Sequence, residues 1–306
     1  MSYADRDGVI WMDGNMVPWR DAQVHVLTHT LHYGVGAFEG IRAYKTDRGT
    51  AIFRLAEHTK RLFETAHILE MDVPYSAEEI NNAIVATIRD NELDTAYVRP
   101  LVYYGSEGMG LHADNLSVHV AVASWFWGAY LGTDALEKGI RIKTSSYTRH
   151  LVNSVMCKAK ACGNYINSIM ALQEAARDGY DEALLLDTDG MVAEGSGENI
   201  FIVRDGKLFT PELTSALEGI TRNTVIKLAE DAGLQVEERR ITRDEVYIAD
   251  EAFFTGTAAE VTPIRELDNR SIGGGKPGPV TQQLQKVYLD VVEGRVSEYD
   301  HWLTYL

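Results

Sequence analysis

The sequence predicts an α+β protein of two domains, a smaller N-terminal α/β domain and a larger C-terminal domain with mixed or antiparallel sheets or a barrel. Three observations carry that prediction. The chain has 306 residues, more than the roughly 100 to 200 typical of one domain. Its short β-type runs outnumber the helical runs that could act as crossovers, which disfavours a doubly wound parallel sheet. Near the middle, the alternating pattern dissolves into Trp125-Phe126-Trp127-Gly128-Ala129-Tyr130-Leu131-Gly132-Thr133, which reads as the connection between domains. The expected division is 1–124, an interdomain loop over 125–136, and 137–306.

The N-terminal third opens with short strands over 9–12 and 16–18 and a strand-like stretch over 37–44, followed by a helix over 55–69. A second helix opens at Ser76, with Glu79 three residues on to complete a capping box, and repeats Ile80, Ile84 and Ile88 on one face. β-Type runs return at 96–104 and 117–124. The second half mixes strands over 140–145, 183–186, 200–203 and 252–255 with helices over 164–176, 221–232 and 280–292. The helix at 221–232 has Val225, Leu228, Ala229 and Ala232 on one face, Thr221 as its expected cap and Gly233 just past its end. Gly273-Gly274-Gly275-Lys276-Pro277-Gly278-Pro279 follows no strand with phosphate-loop spacing and reads as a surface turn.

Composition narrows the function. With 45% hydrophobic and 24% charged residues the chain is an ordinary globular protein. A net charge of -16 argues against nucleic acid or an anionic membrane as partner. No apolar run approaches a membrane span and the N-terminus lacks a basic then apolar signal, so a cytoplasmic location is expected. Cys157 and Cys162 are too few for a disulfide framework and lack zinc spacing, so no metal is expected and both read as reduced packing residues, with a redox switch as the alternative.

Ala159-Lys160-Ala161-Cys162-Gly163-Asn164-Tyr165 places a lysine among small residues that would let a planar molecule lie against the backbone. A lysine amine becomes a Schiff-base nucleophile when desolvation or a nearby cation lowers its pKa. Lys158 is the rival, and both could equally be solvated surface lysines. Downstream, Glu194-Gly195-Ser196-Gly197-Glu198-Asn199 forms a tight bend between strand patterns, with a carboxylate that a basic ring nitrogen would need. Leu217-Glu218-Gly219-Ile220-Thr221-Arg222 leads into a helix whose first amides form an anion site. Phe253-Phe254-Thr255-Gly256-Thr257-Ala258-Ala259-Glu260 ends a strand in a glycine and hydroxyl turn, a weak second candidate for phosphate contact.

The order of these segments is more specific than any one of them, and with it the chain resembles branched-chain amino acid aminotransferases, bacterial members of the pyridoxal-phosphate fold type IV group. The likeness runs from Trp11-Met12-Asp13-Gly14 to Gly278-Pro279-Val280-Thr281, through His32-Tyr33-Gly34, Phe38-Glu39-Gly40-Ile41-Arg42, Tyr97-Val98-Arg99-Pro100 and Gly108-Met109-Gly110. The resemblance implies that Lys160 holds pyridoxal 5'-phosphate as a Schiff base and moves the substrate's alpha proton, leaving Lys158 without a chemical role. It implies that Glu194 pairs with the pyridine nitrogen, Tyr165 contacts the ring hydroxyl and Leu217 packs against the ring. Arg61, the amides of Ile220 and Thr221 and the Thr257 hydroxyl would hold the phosphate, with Gly219 and Gly256 beside them.

For the substrate, the resemblance implies an apolar pocket from Tyr33, Phe38, Gly40, Tyr97, Met109, Trp127 and Tyr130, with Arg99 receiving the distal carboxylate of glutamate or 2-oxoglutarate. Alternation along the strand puts Arg99 on the face of Tyr97. Backbone amides of Gly256, Thr257, Ala258 and Ala259 would meet the alpha carboxylate. The implied assembly is at least a homodimer, with the loop around Gly108, Met109 and Gly110 coming from the neighbouring subunit. The expected reaction is transamination between leucine, isoleucine or valine and 2-oxoglutarate, by a ping-pong mechanism. The alternatives on the same fold are a D-amino acid or (R)-amine transaminase and an aminodeoxychorismate lyase; a remoter one is a pyridoxal-phosphate-binding protein without catalysis.

Overall fold

The computed structural model describes residues 2–112, 115–128 and 132–306. The chain forms two compact units, one of residues 1–127, 159–164 and 291–306, the other of 128–158 and 165–290.

In the first unit, β1 (Val9–Met12) and β2 (Asn15–Pro18) form a hairpin. Asp13 and Gly14 at its tip both have positive φ, 46° and 90°, the conformation that a two-residue hairpin with right-handed strand twist requires. Then come α1 (His29–Tyr33), β3 (Gly36–Phe38), β4 (Ile41–Thr46), β5 (Gly49–Phe53), α2 (Leu55–Ile68), α3 (Ala77–Asp90), β6 (Ala96–Tyr104) and β7 (Val118–Trp125). Among the described residues these strands and the C-terminal Leu303–Tyr305 make an eight-stranded sheet, with every pair antiparallel. The capping box predicted at Ser76 and Glu79 is present. Ile80, Ile84 and Ile88 are fully buried, packed with Leu62 and Ala66 of α2 among sheet residues that include Ile41, Val98, Val102, Val120 and Val122. Each such side chain contributes roughly 1.5–3 kcal/mol through burial.

The single stretch expected over 37–44 is two strands. Phe38 pairs with Leu101 and Ile41 with Val98, so Glu39 lies opposite Pro100. Glu39 N–H donates to the Pro100 carbonyl at 3.0 Å. Proline has no N–H to return the second bond of the pair, so the ladder opens at residues 39–40.

The second unit contains α4 (Thr133–Lys138), β8 (Ile140–Thr144), α5 (Tyr165–Arg177), β9 (Glu182–Leu186), β10 (Val192–Gly195), β11 (Asn199–Arg204), β12 (Lys207–Thr210), α6 (Ile220–Asp231), β13 (Val236–Glu238), α7 (Arg243–Tyr247), β14 (Glu251–Gly256), β15 (Glu260–Leu267) and most of α8 (Pro279–Val292). Its sheet runs β10-β9-β8-β15-β14-β11-β12-β13. β8 is parallel to both β9 and β15, and β12 to β13, while the other pairs are antiparallel, giving the mixed arrangement expected. Central β14 buries Ala252, Phe253 and Phe254 in succession, the mark of a strand covered on both faces.

Two further features differ from the sequence reading. Residues 159–164 and 291–306 belong with the N-terminal part, because Ala161 bridges Ala37, Gly163 N–H donates to Gly34 O at 2.9 Å, and Leu303–Tyr305 pairs with β5. A Cβ on Gly34 would lie 3.0 Å from Gly163 Cα, so two glycines permit this crossing. In α6 the N-cap is Gly219; Thr221 lies inside the first turn, and Ala232 is the exposed C-cap. Gly233 follows with φ 78°, closing the helix in the left-handed form predicted for it. Among the described residues no helix is long and apolar enough to cross a membrane.

Candidate active site

The first unit carries Lys160. Its N–H donates to Thr65 Oγ1 at 3.0 Å, and its carbonyl accepts from Phe38 N–H at 3.2 Å. Thr65 is fully buried and Phe38 half-buried, and their two hydrogen bonds hold the lysine backbone between α2 and β3. The ammonium lies 5.0 Å from the centre of the Phe38 ring, and the Arg99 guanidinium 4.7 Å from the same ring. Arg99 Nη2 donates to Tyr97 Oη at 2.8 Å, confirming the shared face, while its Nε is buried with no hydrogen-bond partner among the described residues. Tyr97 packs edge-on against Trp127 at 4.6 Å. Gly40 has no room for a side chain: a Cβ there would meet Tyr97 Oη at 2.1 Å.

Arg61 stands on α2 with His58 and Thr65, residues one and two turns apart on one helix face. Arg61 Nε and Nη2 donate to the two oxygens of Glu39 at 2.6 and 2.9 Å, and His58 Nδ1 lies 2.8 Å from Glu39 Oε2. Burial alone would raise the Glu39 carboxyl, but the Arg61 charge and the His58 hydrogen bond overcome it and hold the group far below the usual carboxylate range. Burial lowers His58, against the pull of Glu39. Since an ionised carboxylate only accepts, His58 Nδ1 carries the hydrogen.

Tyr33 ends α1, and its hydroxyl accepts from Gly110 N–H at 3.2 Å; neighbouring Met109 is exposed. Tyr130 lies outside the described residues.

The second unit carries Glu194, on β10 where a register shift breaks the pairing with β9. Glu194 Oε1 is ion-paired with Arg149 Nε at 2.6 Å, and Oε2 accepts from Leu217 N–H at 3.2 Å. Arg149 is itself held, its Nη1 donating to Asn167 at 3.1 Å. Asn199 Nδ2 donates to the Leu217 carbonyl at 3.0 Å, which fixes the segment leading to α6. A Cβ on Gly219 would lie 2.0 Å from Asn199 Oδ1. Because glycine is the N-cap, no cap side chain occupies the first amides of α6, those of Ile220 and Thr221. That start suits an anion, and the Glu194 carboxylate suits a protonated ring nitrogen, so the donor set fits a phosphorylated pyridine. Gly256 ends β14 and Glu260 begins β15, with Thr257, Ala258 and Ala259 at the turn between them. Tyr165 opens α5.

Lys158 has a structural role, its Nζ donating to the carbonyls of Leu213 and, at 3.2 Å, Ala216. Four residues with evident roles carry no assignment from the sequence, namely Glu39, His58, Thr65 and Arg149. The His58, Arg61 and Thr65 spacing on one helix face was the available signal for the first unit; nothing local marks Arg149.

Residues 36–267 match the family described as amino-transferase class IV. The chain is 63% identical over 304 residues, 99% of each protein, to the branched-chain-amino-acid aminotransferase of Pseudomonas aeruginosa. It is 46% identical to the Escherichia coli K12 enzyme of the same name, over 96% of each. The crystal structure of a branched-chain amino acid aminotransferase from T.th. with pyridoxamine 5'-phosphate superposes with a TM-score of 0.96 at 51% identity, covering 98% of this chain and 99% of the other.

Proposed function

Because this chain belongs to the amino-transferase class IV family, we propose that it moves the amino group of leucine, isoleucine or valine to 2-oxoglutarate, in a ping-pong sequence that gives 2-oxo acids and L-glutamate. It is a pyridoxal-phosphate aminotransferase of fold type IV. The full-length likeness to enzymes named for branched-chain amino acids carries the substrate assignment. Pyridoxal phosphate, when bound, would supply an electron sink for the bonds at the substrate's alpha carbon.

The chain's own residues do the rest. Lys160 binds the cofactor and then takes and returns the alpha proton at Nζ; its clamped backbone gives this base a fixed origin, and a positioned base contributes roughly 10²- to 10⁴-fold in rate. Glu194, oriented by Arg149 and Leu217 N–H, keeps the ring nitrogen protonated. Arg61, the Ile220 and Thr221 amides and the Thr257 hydroxyl take the phosphate; Tyr165 meets the ring hydroxyl and Leu217 the ring face. Phe38, Tyr97 and Trp127 exclude water from an apolar side chain. Arg99, with Nε buried and unpartnered among the described residues, takes the distal carboxylate of glutamate. The amides at Gly256 to Ala259 take the alpha carboxylate.

We assign a homodimer. Leu31 and Leu111 of the first unit, and separately Ile166 and Ile169 of the second, are exposed apolar side chains that a second copy would cover, with Met109 serving the neighbour's pocket.

A donor panel read by half-reaction tests the function: L-leucine is expected to lead, and D-alanine or an aromatic amine outpacing it would overturn the assignment. Arg99→Ala is expected to lose glutamate and 2-oxoglutarate turnover selectively while leucine reacts on.

A further inference from the structure

We propose that Glu39, backed by His58, is the positioning residue for the cofactor's phosphate, fixing the plane of Arg61 so that one edge of its guanidinium has a single direction. The proposal rests on the assignment of Arg61 to the phosphate made above.

The geometry is specific. Glu39 is fully buried, with 0% exposure, whereas the Arg61 side chain retains 12%. Contacts at 2.6 Å to Nε and 2.9 Å to Nη2 are bidentate, which sets both the position and the plane of a guanidinium. His58 at 2.8 Å and the Gly40 N–H at 3.2 Å both engage Glu39 Oε2, so the carboxylate cannot swing away from the arginine. Burying a carboxylate at this depth is a poor way to gain stability, since an apolar side chain of similar size does as well or better. What the carboxylate provides is orientation. The same α2 face supplies Thr65 to the Lys160 backbone, and β3 supplies Phe38 next to Glu39 in sequence. Arg61 and Lys160 are therefore aimed from one shared support, α2 on one side and the 38–39 segment on the other.

A purely structural Glu39 makes a different prediction. It would tie α2 to the opened ladder opposite Pro100, and its loss would weaken the fold without favouring one ligand over another.

Titrating apoenzyme with pyridoxal 5'-phosphate and with unphosphorylated pyridoxal, followed by absorbance, separates the two. Wild type is expected to prefer the phosphorylated form strongly. Glu39→Gln is expected to weaken the phosphorylated form by about 10-fold, one charge-assisted contact's worth, and to leave pyridoxal within about 2-fold. An unchanged preference in Glu39→Gln overturns the proposal. Arg61→Ala serves as the separate control: if it keeps the preference, the assignment of Arg61 to the phosphate is what fails. Should Glu39→Gln not fold, the Arg61 Nε–H resonance of wild-type apoenzyme, identified by its loss in Arg61→Ala, decides the matter. A slowly exchanging signal before any cofactor is added supports a pre-set guanidinium; a signal averaged with solvent overturns it.

Discussion

The Glu39–Arg61 pair of the first unit and the Arg149–Glu194 pair of the second use the same two groups, with opposite ends assigned to the ligand in the function we propose. In the first, the end we propose to meet the ligand is the arginine; its carboxylate is saturated by Arg61, His58 and Gly40 N–H and faces no solvent. In the second, the proposed working end is the carboxylate; Arg149 takes one oxygen and Leu217 N–H the other, and each carboxylate oxygen has two lone pairs. The supporting member is buried and multiply bonded in both. In the roles we propose, the charge that meets the ligand is held by a second charge that does not.

Arg149→Met tests the second pair with the largest expected effect. Breaking a buried pair from one side costs about 3–5 kcal/mol, read by denaturant unfolding, and kcat should fall as well. A stability loss with unchanged kcat would make Arg149 scaffolding alone and end the parallel. Glu194→Gln keeps the shape but removes the charge. Its kcat/KM for L-leucine should drop roughly 10²- to 10³-fold, the scale of a lost electrostatic stabiliser.

Glu182 sharpens the contrast, since it is a buried carboxylate whose contacts are Ala183 N–H at 2.6 Å and Ser196 rather than a guanidinium. Burial pushes it up from 4.5 to about 7. Between those values the folded protein keeps a proton that the unfolded chain has lost, so this group's stabilisation is full below 4.5 and is lost as pH rises to about 7. Its contribution is ~3 kcal/mol at most. Glu182→Gln should remove that slope from a stability profile; an unaltered slope would mean that the group stays ionised. Thr65→Val is the smallest test, orphaning the Lys160 N–H for about 1–2 kcal/mol of stability, with a few-fold loss of activity.

Much of this was legible in local sequence. The Ser76 capping box, the Ile80, Ile84 and Ile88 stripe and the Gly233 helix end depend on residues within a turn or two of each other, and each formed as read. Features decided across the chain were not. The gap at Glu39 comes from Pro100, and the membership of 159–164 comes from Gly34 meeting Gly163. The same holds in the site. Lys160 and Glu194 stand in distinctive segments, whereas Glu39, His58 and Arg149 act through a partner distant in sequence and carry no local mark. Thr221 reads as a cap because threonine is common there; Gly219, which leaves the first amides uncapped, holds the position instead.

The choice between two neighbouring lysines remains the most direct point of attack. Lys158 is bonded to backbone carbonyls, and Lys160 is clamped at its backbone with its amine near Phe38. Holoenzyme reduced with borohydride and digested for peptide mapping should carry the phosphopyridoxyl group on Lys160. The same group found on Lys158 would contradict the assignment.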